Sequence, residues 1–264
     1  MEPWLWLLLV KMAVAAAIVV SCSLLAERAG PLLAAMIATL PISAGPVYVF
    51  LALEHDDAFI AAGALGSMGS NLANAGLSLA YVLLAQRHGT VLSLGAGLAA
   101  WFAVSFGLRV LEPSVVPAAL LTILVYLGLH RLFRPYLAVR PKAAAPRPWF
   151  VIPMRAAAVA TLAGIVSTIS SHVGATWSGV LAAFPIVLSS LIGLLQPRIG
   201  GPATAAVIAN SALGLLGFGL ALGLVHATAL PLGRWAALAL GLALCVFWNL
   251  ALMALARRRS RPAP

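Results

Sequence analysis

Residues 29–43, AGPLLAAMIATLPIS, and residues 173–187, VGATWSGVLAAFPIV, are two versions of one pattern. Each is an apolar run that opens beside a Gly and is interrupted by Pro-Ile. At an offset of 144, Gly30 matches Gly174, Ala38 matches Ala182, and Pro41-Ile42 matches Pro185-Ile186. Ser23 and Ser167 align at the same offset, as do the basic residues Lys11 and Arg155. The flanking sequence is apolar without alternation, which excludes the strands of a transmembrane β-barrel. It fits helices of about 20 apolar residues, the length that crosses a bilayer core.

Composition agrees. The chain has 264 residues, 63% hydrophobic and 8% charged. A soluble domain is about 45–50% apolar and about 25% charged, so a water-soluble globular protein is excluded, and so is a disordered chain. The formal charge of +10 invites a nucleic-acid reading, but the basic residues gather between apolar runs, as a topology signal does. No nucleic-acid partner is expected. Arg outnumbers Lys by 14 to 2, a bias suggesting a GC-rich bacterial source. Cys22 and Cys245 lie inside apolar runs and read as small buried hydrophobes. The N-terminal MEPWLWLLLV lacks the basic start of a secretory signal and reads as a retained span.

The fold expected is an all-α integral membrane protein of about nine transmembrane helices. The candidate spans are 3–26, 30–53, 58–85, 90–111, 114–133, 151–172, 175–195, 203–226 and 233–256. The pair split at Glu112-Pro113 is the least defined, and one span there is the alternative. With the N-terminus outside, the cytoplasmic loops hold 13 basic residues and one acid, Glu27. The outer side then holds Arg109 and Arg234 with Glu2, Glu54, Asp56, Asp57 and Glu112. That asymmetry places the C-terminus in the cytoplasm of a bacterial inner membrane. The organisation expected is 1–133 for an N-terminal repeat plus connector span, 134–150 for a basic linker, and 151–264 for a C-terminal repeat with a basic tail. Five spans precede the second copy, so the copies form two inverted-topology repeats of four spans plus a connector helix.

A short apolar span, a Gly, then a Leu/Ala/Phe-rich run ending in (Leu/Phe)-Pro resembles the GlpM-type small bacterial membrane proteins. The resemblance covers about 60 residues of each half on one loose motif and implies a fused tandem form. It implies no catalytic residues.

Inverted repeats in membranes belong most often to secondary transporters, with the substrate near the midplane between the copies. Pro41 and Pro185 stand inside their spans, where a Pro frees a backbone carbonyl that needs a partner or a wet cavity. Ser43 and Ser189 follow them closely. Ser67, Asn71 and Asn74 share one face of the most polar span, and Asn210 lies at a comparable depth in the eighth. The plainer reading of these polar groups is interhelical packing. Lys11 sits about eight residues into the first span, roughly 12 Å deep as a helix, where a charge is a site candidate or a snorkelling side chain. The substrate-binding set expected is therefore Lys11, Pro41, Ser43, Ser67, Asn71, Asn74, Pro185, Ser189 and Asn210. The acidic run Glu54–His55–Asp56–Asp57 reads as a solvated loop, with metal ligation as the weaker alternative.

GxSxG, HExxH, P-loop and dinucleotide motifs are absent, and no Asp or Glu stands at a span centre. An enzyme, a bound metal, a cofactor and a carboxylate-driven pump are thus not expected. The function expected is transport of a small anionic or amphiphilic substrate. The alternative is a non-transporting scaffold or assembly factor using the basic linker and tail. Partners expected are membrane lipids and a small-molecule substrate, with a homodimer left open.

Overall fold

A computed structural model describes residues 3–28, 41–137, 139 and 150–259. Most of the first quoted stretch, the linker residues 140–149 and the tail residues 260–264 lie outside the described residues. All regular structure among the described residues is helical. The helices are α1 (Pro3–Arg28), α2 (Ala44–Glu54), α3 (Asp57–Leu84), α4 (Thr90–Leu111), α5 (Val115–Leu132), α6 (Val151–Ala182), α7 (Ile186–Ile199), α8 (Gly201–Asn210), α9 (Ala212–Leu232) and α10 (Arg234–Arg259). One 3₁₀ turn, Arg134–Tyr136, follows α5.

Among the described residues, six helical stretches are long and apolar enough to cross a membrane: Trp4–Leu24, Thr90–Leu111, Val115–Leu132, Val151–Ile199, Gly201–Leu232 and Arg234–Ala256. The chain is therefore an all-α protein of membrane-spanning character. Glu112 takes a left-handed conformation, φ 41°, and Pro113 cannot continue a helix, so the 90–133 region is two helices. Expectation and structure differ in the count. The sixth and seventh expected spans run together as one 49-residue apolar stretch. The third, α3, is long enough at 28 residues, but its serines, asparagines and glycines keep it off that list. The second lies partly outside the described residues.

α3 is the central helix. It packs against α4, α6 and α9 and buries Ser67, Ser70, Asn71, Asn74 and Ser78 among its apolar residues. Its polarity is tolerated because protein, not lipid, surrounds it. The outer helices are the reverse. Trp4, Trp6, Phe102, Phe106, Leu124 and Phe247 are exposed, as suits surfaces whose solvent is hydrocarbon.

Element order recurs at the sequence offset. Adding 144 to α2 gives 188–198, within α7; adding it to α3 gives 201–228, within α8 and α9; adding it to α4 gives 234–255, within α10. α5 has no counterpart. α3 and the α8–α9 pair lie antiparallel along their length. Ala61 meets His226, Asn71 meets Leu215, and Ala85 abuts Gly201. Asn71 and Leu215 are offset mates, since 71 plus 144 is 215.

Candidate functional site

The second quoted stretch is a helix broken at both ends. Gly174 has φ 78° and ψ 173°, a backbone state that a side chain disfavours. It separates 151–173 from a short half-helix, 175–182. That half-helix stops at Ala183, and α7 begins after Pro185. In the other copy, Pro41 is non-helical and α2 begins at Ala44. The first turn after each proline is the same. Gly45 N–H donates to Pro41 O at 2.7 Å, and Ser189 N–H donates to Pro185 O at 2.9 Å. Residues 45 and 189 are again offset mates, so the matched prolines precede matched helix starts.

The half-helix is clamped on α3 through glycine. A Cβ on Gly179 would lie 1.8 Å from Gly63 O, and one on Gly66 would lie 2.3 Å from Thr176 O. That approach lets Ser67 Oγ donate to Gly179 O at 2.6 Å and Ser70 Oγ to Ala183 O at 3.1 Å. Since the Ser67 proton is committed there, Tyr48 Oη, 2.6 Å from Ser67 Oγ, is the donor in that pair. Gly179 O, which also accepts from Ala183 N–H at 3.2 Å, and Ala183 O, past the end of the half-helix, thus receive side-chain donors from α3.

The Pro41 and Pro185 helix starts line one cavity of about 140 Å³. Its wall includes Pro41, Ser43 and Ala44 from the first copy, Pro185 and Leu188 from the second, and Asn74 from α3. Pro41/Pro185 and Ala44/Leu188 are offset mates, so the cavity sits between corresponding parts of the halves. The first turns of α2 and α7 both border it, and helix N-termini carry partial positive charge. Asn74 is 5% exposed, and its Oδ1 has no hydrogen-bond partner. An unpaired buried amide oxygen costs on the order of 1–3 kcal/mol.

Four of the nine expected site residues meet there: Pro41, Ser43, Asn74 and Pro185. Ser67 and Asn71 lie outside its wall. Ser67 holds the half-helix, and Asn71 Nδ2 donates to Leu215 O at 3.0 Å, joining α3 to α9. Asn71 O accepts from Tyr126 Oη at 2.5 Å, so the connector α5 is fixed to the same point. Ser189 has a buried, unpartnered Oγ but does not line the cavity. Asn210 departs from the expectation that it faces the interior. It is exposed, and its Nδ2 donates to Ala206 O one turn back. Its depth is close to that of Asn74, since the adjacent Ser211 lines the cavity with Asn74; it is the face of the helix that differs.

Lys11 stands elsewhere, in a part-buried network at the acidic-loop end. Its Nζ pairs with Glu54 and donates to Ser167 Oγ at 2.7 Å, and Ser167 Oγ donates to Glu54 Oε2 at 2.8 Å. Each member of the acidic run is engaged. His55 Nε2 bonds Ser170 Oγ at 2.8 Å, Asp56 caps α3 through Phe59 N–H at 2.8 Å, and Asp57 takes Arg234 at 3.1 Å. Arg234 also donates from Nε to Ala52 O at 2.7 Å. Among the described residues, no group of His, Cys, Asp and Glu could hold a metal ion. At the opposite end, Gln196 accepts from Tyr81 Oη at 3.0 Å and donates to His88 O at 2.9 Å.

Sequence reasoning missed Tyr48, Tyr126, Phe184 and Phe218, which fasten or line this region. An aromatic in an apolar span gives no signal until its neighbour is known. Comparison with protein-family models, curated proteins and solved structures finds no match for the chain.

Proposed function

We propose that the protein is an inner-membrane transporter of a small anionic or amphiphilic substrate, bound between two inverted-topology repeats near the midplane. The observation that carries this reading is the cavity lined by both proline helix starts, with the unpartnered Asn74 Oδ1 in its wall. The antiparallel meeting of α3 with α8–α9, in which Asn71 touches its own offset mate, supports the inverted arrangement. A broken helix whose restart faces a midplane cavity is how many secondary transporters present half-helix N-termini to an anionic group.

Lys11 is not needed as the anion's partner in this reading, since Glu54 already neutralises it. Two helix N-termini supply the positive potential instead. Asn74 offers an amide that a substrate can pair with. With the N-terminus outside, the Asp57–Arg234 and Lys11–Glu54 pairs stand at the outer end and Gln196–His88 at the inner end. The GlpM-type likeness belongs to this proposal as a fused tandem form and adds no chemistry to it.

Reconstituted protein tested for flux against a panel of small carboxylates, phosphates and single-chain amphiphiles decides the matter. Saturable flux of one class above protein-free vesicles is the expected result. Flux of none, from correctly folded protein, would replace the transporter with the scaffold reading.

A further inference from the structure

The two helices that start at the 140 Å³ cavity leave it in opposite directions. α2 runs antiparallel to α3, since Tyr48 meets Ser67 and Glu54 stands at the turn into α3. Ala44, one turn before Tyr48, is therefore level with about Asn71. α7 runs parallel to α3, since Ala183 O meets Ser70 near its start and Gln196 meets Tyr81 near its end. The two N-termini thus face each other within about one helical turn of Asn74. Neither is capped by its own side chain: Ser43 makes no cap bond, and Pro185 has no side-chain acceptor to make one. Gly45 and Ser189 N–H bond back to the prolines. Ser43 and Ala44, and their offset mates Val187 and Leu188, stand before those rungs, where helix N–H groups point outward along the axis. All four residues line the cavity. Asn74 joins them, 5% exposed, with Oδ1 unpartnered.

We propose that this cavity binds a short 2-hydroxycarboxylate of the size of glycolate or lactate. The carboxylate lies between the two N-termini, and the hydroxyl donates to Asn74 Oδ1. The inference rests on the transport reading and narrows it to its anionic arm. Four features select the class. Two converging positive poles favour one negative charge. A buried acceptor without a donor favours a ligand that carries its own O–H. An ammonium there would meet no counter-charge, since no charged residue lines the cavity among the described residues. The volume of 140 Å³ is that of about five waters, which admits a solute of about five or six heavy atoms and excludes an amphiphile. The remaining wall, Phe184, Leu188, Leu191 and Phe218, suits the methyl group of lactate.

The test uses the full chain in nanodiscs, with equilibrium dialysis of radiolabelled glycolate, and flux of the same label in proteoliposomes. Glycolate should bind saturably, and unlabelled lactate should compete. Acetate, which lacks the hydroxyl, should compete about tenfold more weakly, the factor of one buried hydrogen bond. Glycinamide, a cation of similar size, and laurate should not compete. Asn74→Leu should bring the glycolate-to-acetate ratio from about tenfold to about one. Asn74→Asp, which sets a second negative charge beside the carboxylate, should abolish binding of both and keeps the test decisive if Asn74→Leu does not fold. Glycolate binding without flux would support the site and overturn the transport reading. Flux of another anion with no glycolate binding would do the reverse. Acetate competing as well as glycolate, or a ratio unchanged in Asn74→Leu, would overturn the proposal.

Discussion

Gly179→Ala tests the clamp that holds the half-helix on α3. The new Cβ would lie 1.8 Å from Gly63 O and 2.6 Å from Gly63 C, both backbone atoms. Ordinary contact is about 3.5 Å, so the two backbones must part by more than an ångström. At that separation the 2.6 Å bond from Ser67 to Gly179 O and the 3.1 Å bond from Ser70 to Ala183 O are lost. Each interhelical bond is worth about 0.6–1.5 kcal/mol. Strain from overpacking adds about 1–3 kcal/mol where the helices resist separation. The expected loss is about 2–6 kcal/mol, read by equilibrium unfolding with SDS in mixed micelles. Gly128→Ala is the matched control. It lies in helix α5, where a Cβ meets nothing within 4 Å, and it should be neutral or stabilising by up to about 1 kcal/mol. A Gly179→Ala protein within about 0.5 kcal/mol of wild type, the range of an ordinary surface substitution, would refute the clamp.

Asn71→Leu should lower stability by about 0.6–2 kcal/mol by removing the donor to Leu215 O, with flux falling only in proportion to folded protein; a loss of flux per folded molecule would move Asn71 into the site. Lys11→Met leaves Glu54 without its cation. Full burial would make that cost about 3–5 kcal/mol, but the Glu54 side chain is 30% exposed, so about 1–3 kcal/mol is expected; Lys11→Met with Glu54→Gln should recover most of it, and no recovery would show that the pair is not coupled. In a background with Cys22 and Cys245 replaced, a cysteine at Asp56 should react with an impermeant thiol reagent from outside and one at Lys142 only from inside. Reaction of position 142 from outside would overturn both the orientation and the inverted repeat.

Backbone-determining residues made the architecture readable. Gly174 must be a glycine at φ 78°, and Pro41 and Pro185 cannot continue a helix, so their spacing carried the repeat through a background of Ala and Leu. The four cavity residues followed from the same prolines and from the helical spacing that put Asn74 on the face of Ser67 and Asn71. Lys11 was legible as unusual for its depth but not as paired, because Glu54 is 43 positions away and only the fold of α1 against α2 and α6 brings them together. Asn210 misled because depth within an apolar run does not say which face of the helix turns inward: its neighbour Ser211 lines the cavity, while Asn210 is exposed. The span count differed for a related reason. Hydropathy measures contact with lipid, and α3 is surrounded by protein, which gives partners to Ser67, Ser70 and the Asn71 amide N–H and leaves Asn71 Oδ1, Asn74 Oδ1 and Ser78 Oγ unpaired.

The central claim is that solute passes through the cavity between the two proline helix starts. Asn74→Leu tests it most directly, with flux in proteoliposomes and unfolding in mixed micelles measured on the same purified protein. Asn74 Oδ1 is buried without a partner, so its loss should not destabilise the protein and should relieve up to about 1–3 kcal/mol, while flux per folded molecule falls by about tenfold or more through the lost substrate contact. Undiminished flux per folded molecule would contradict the account.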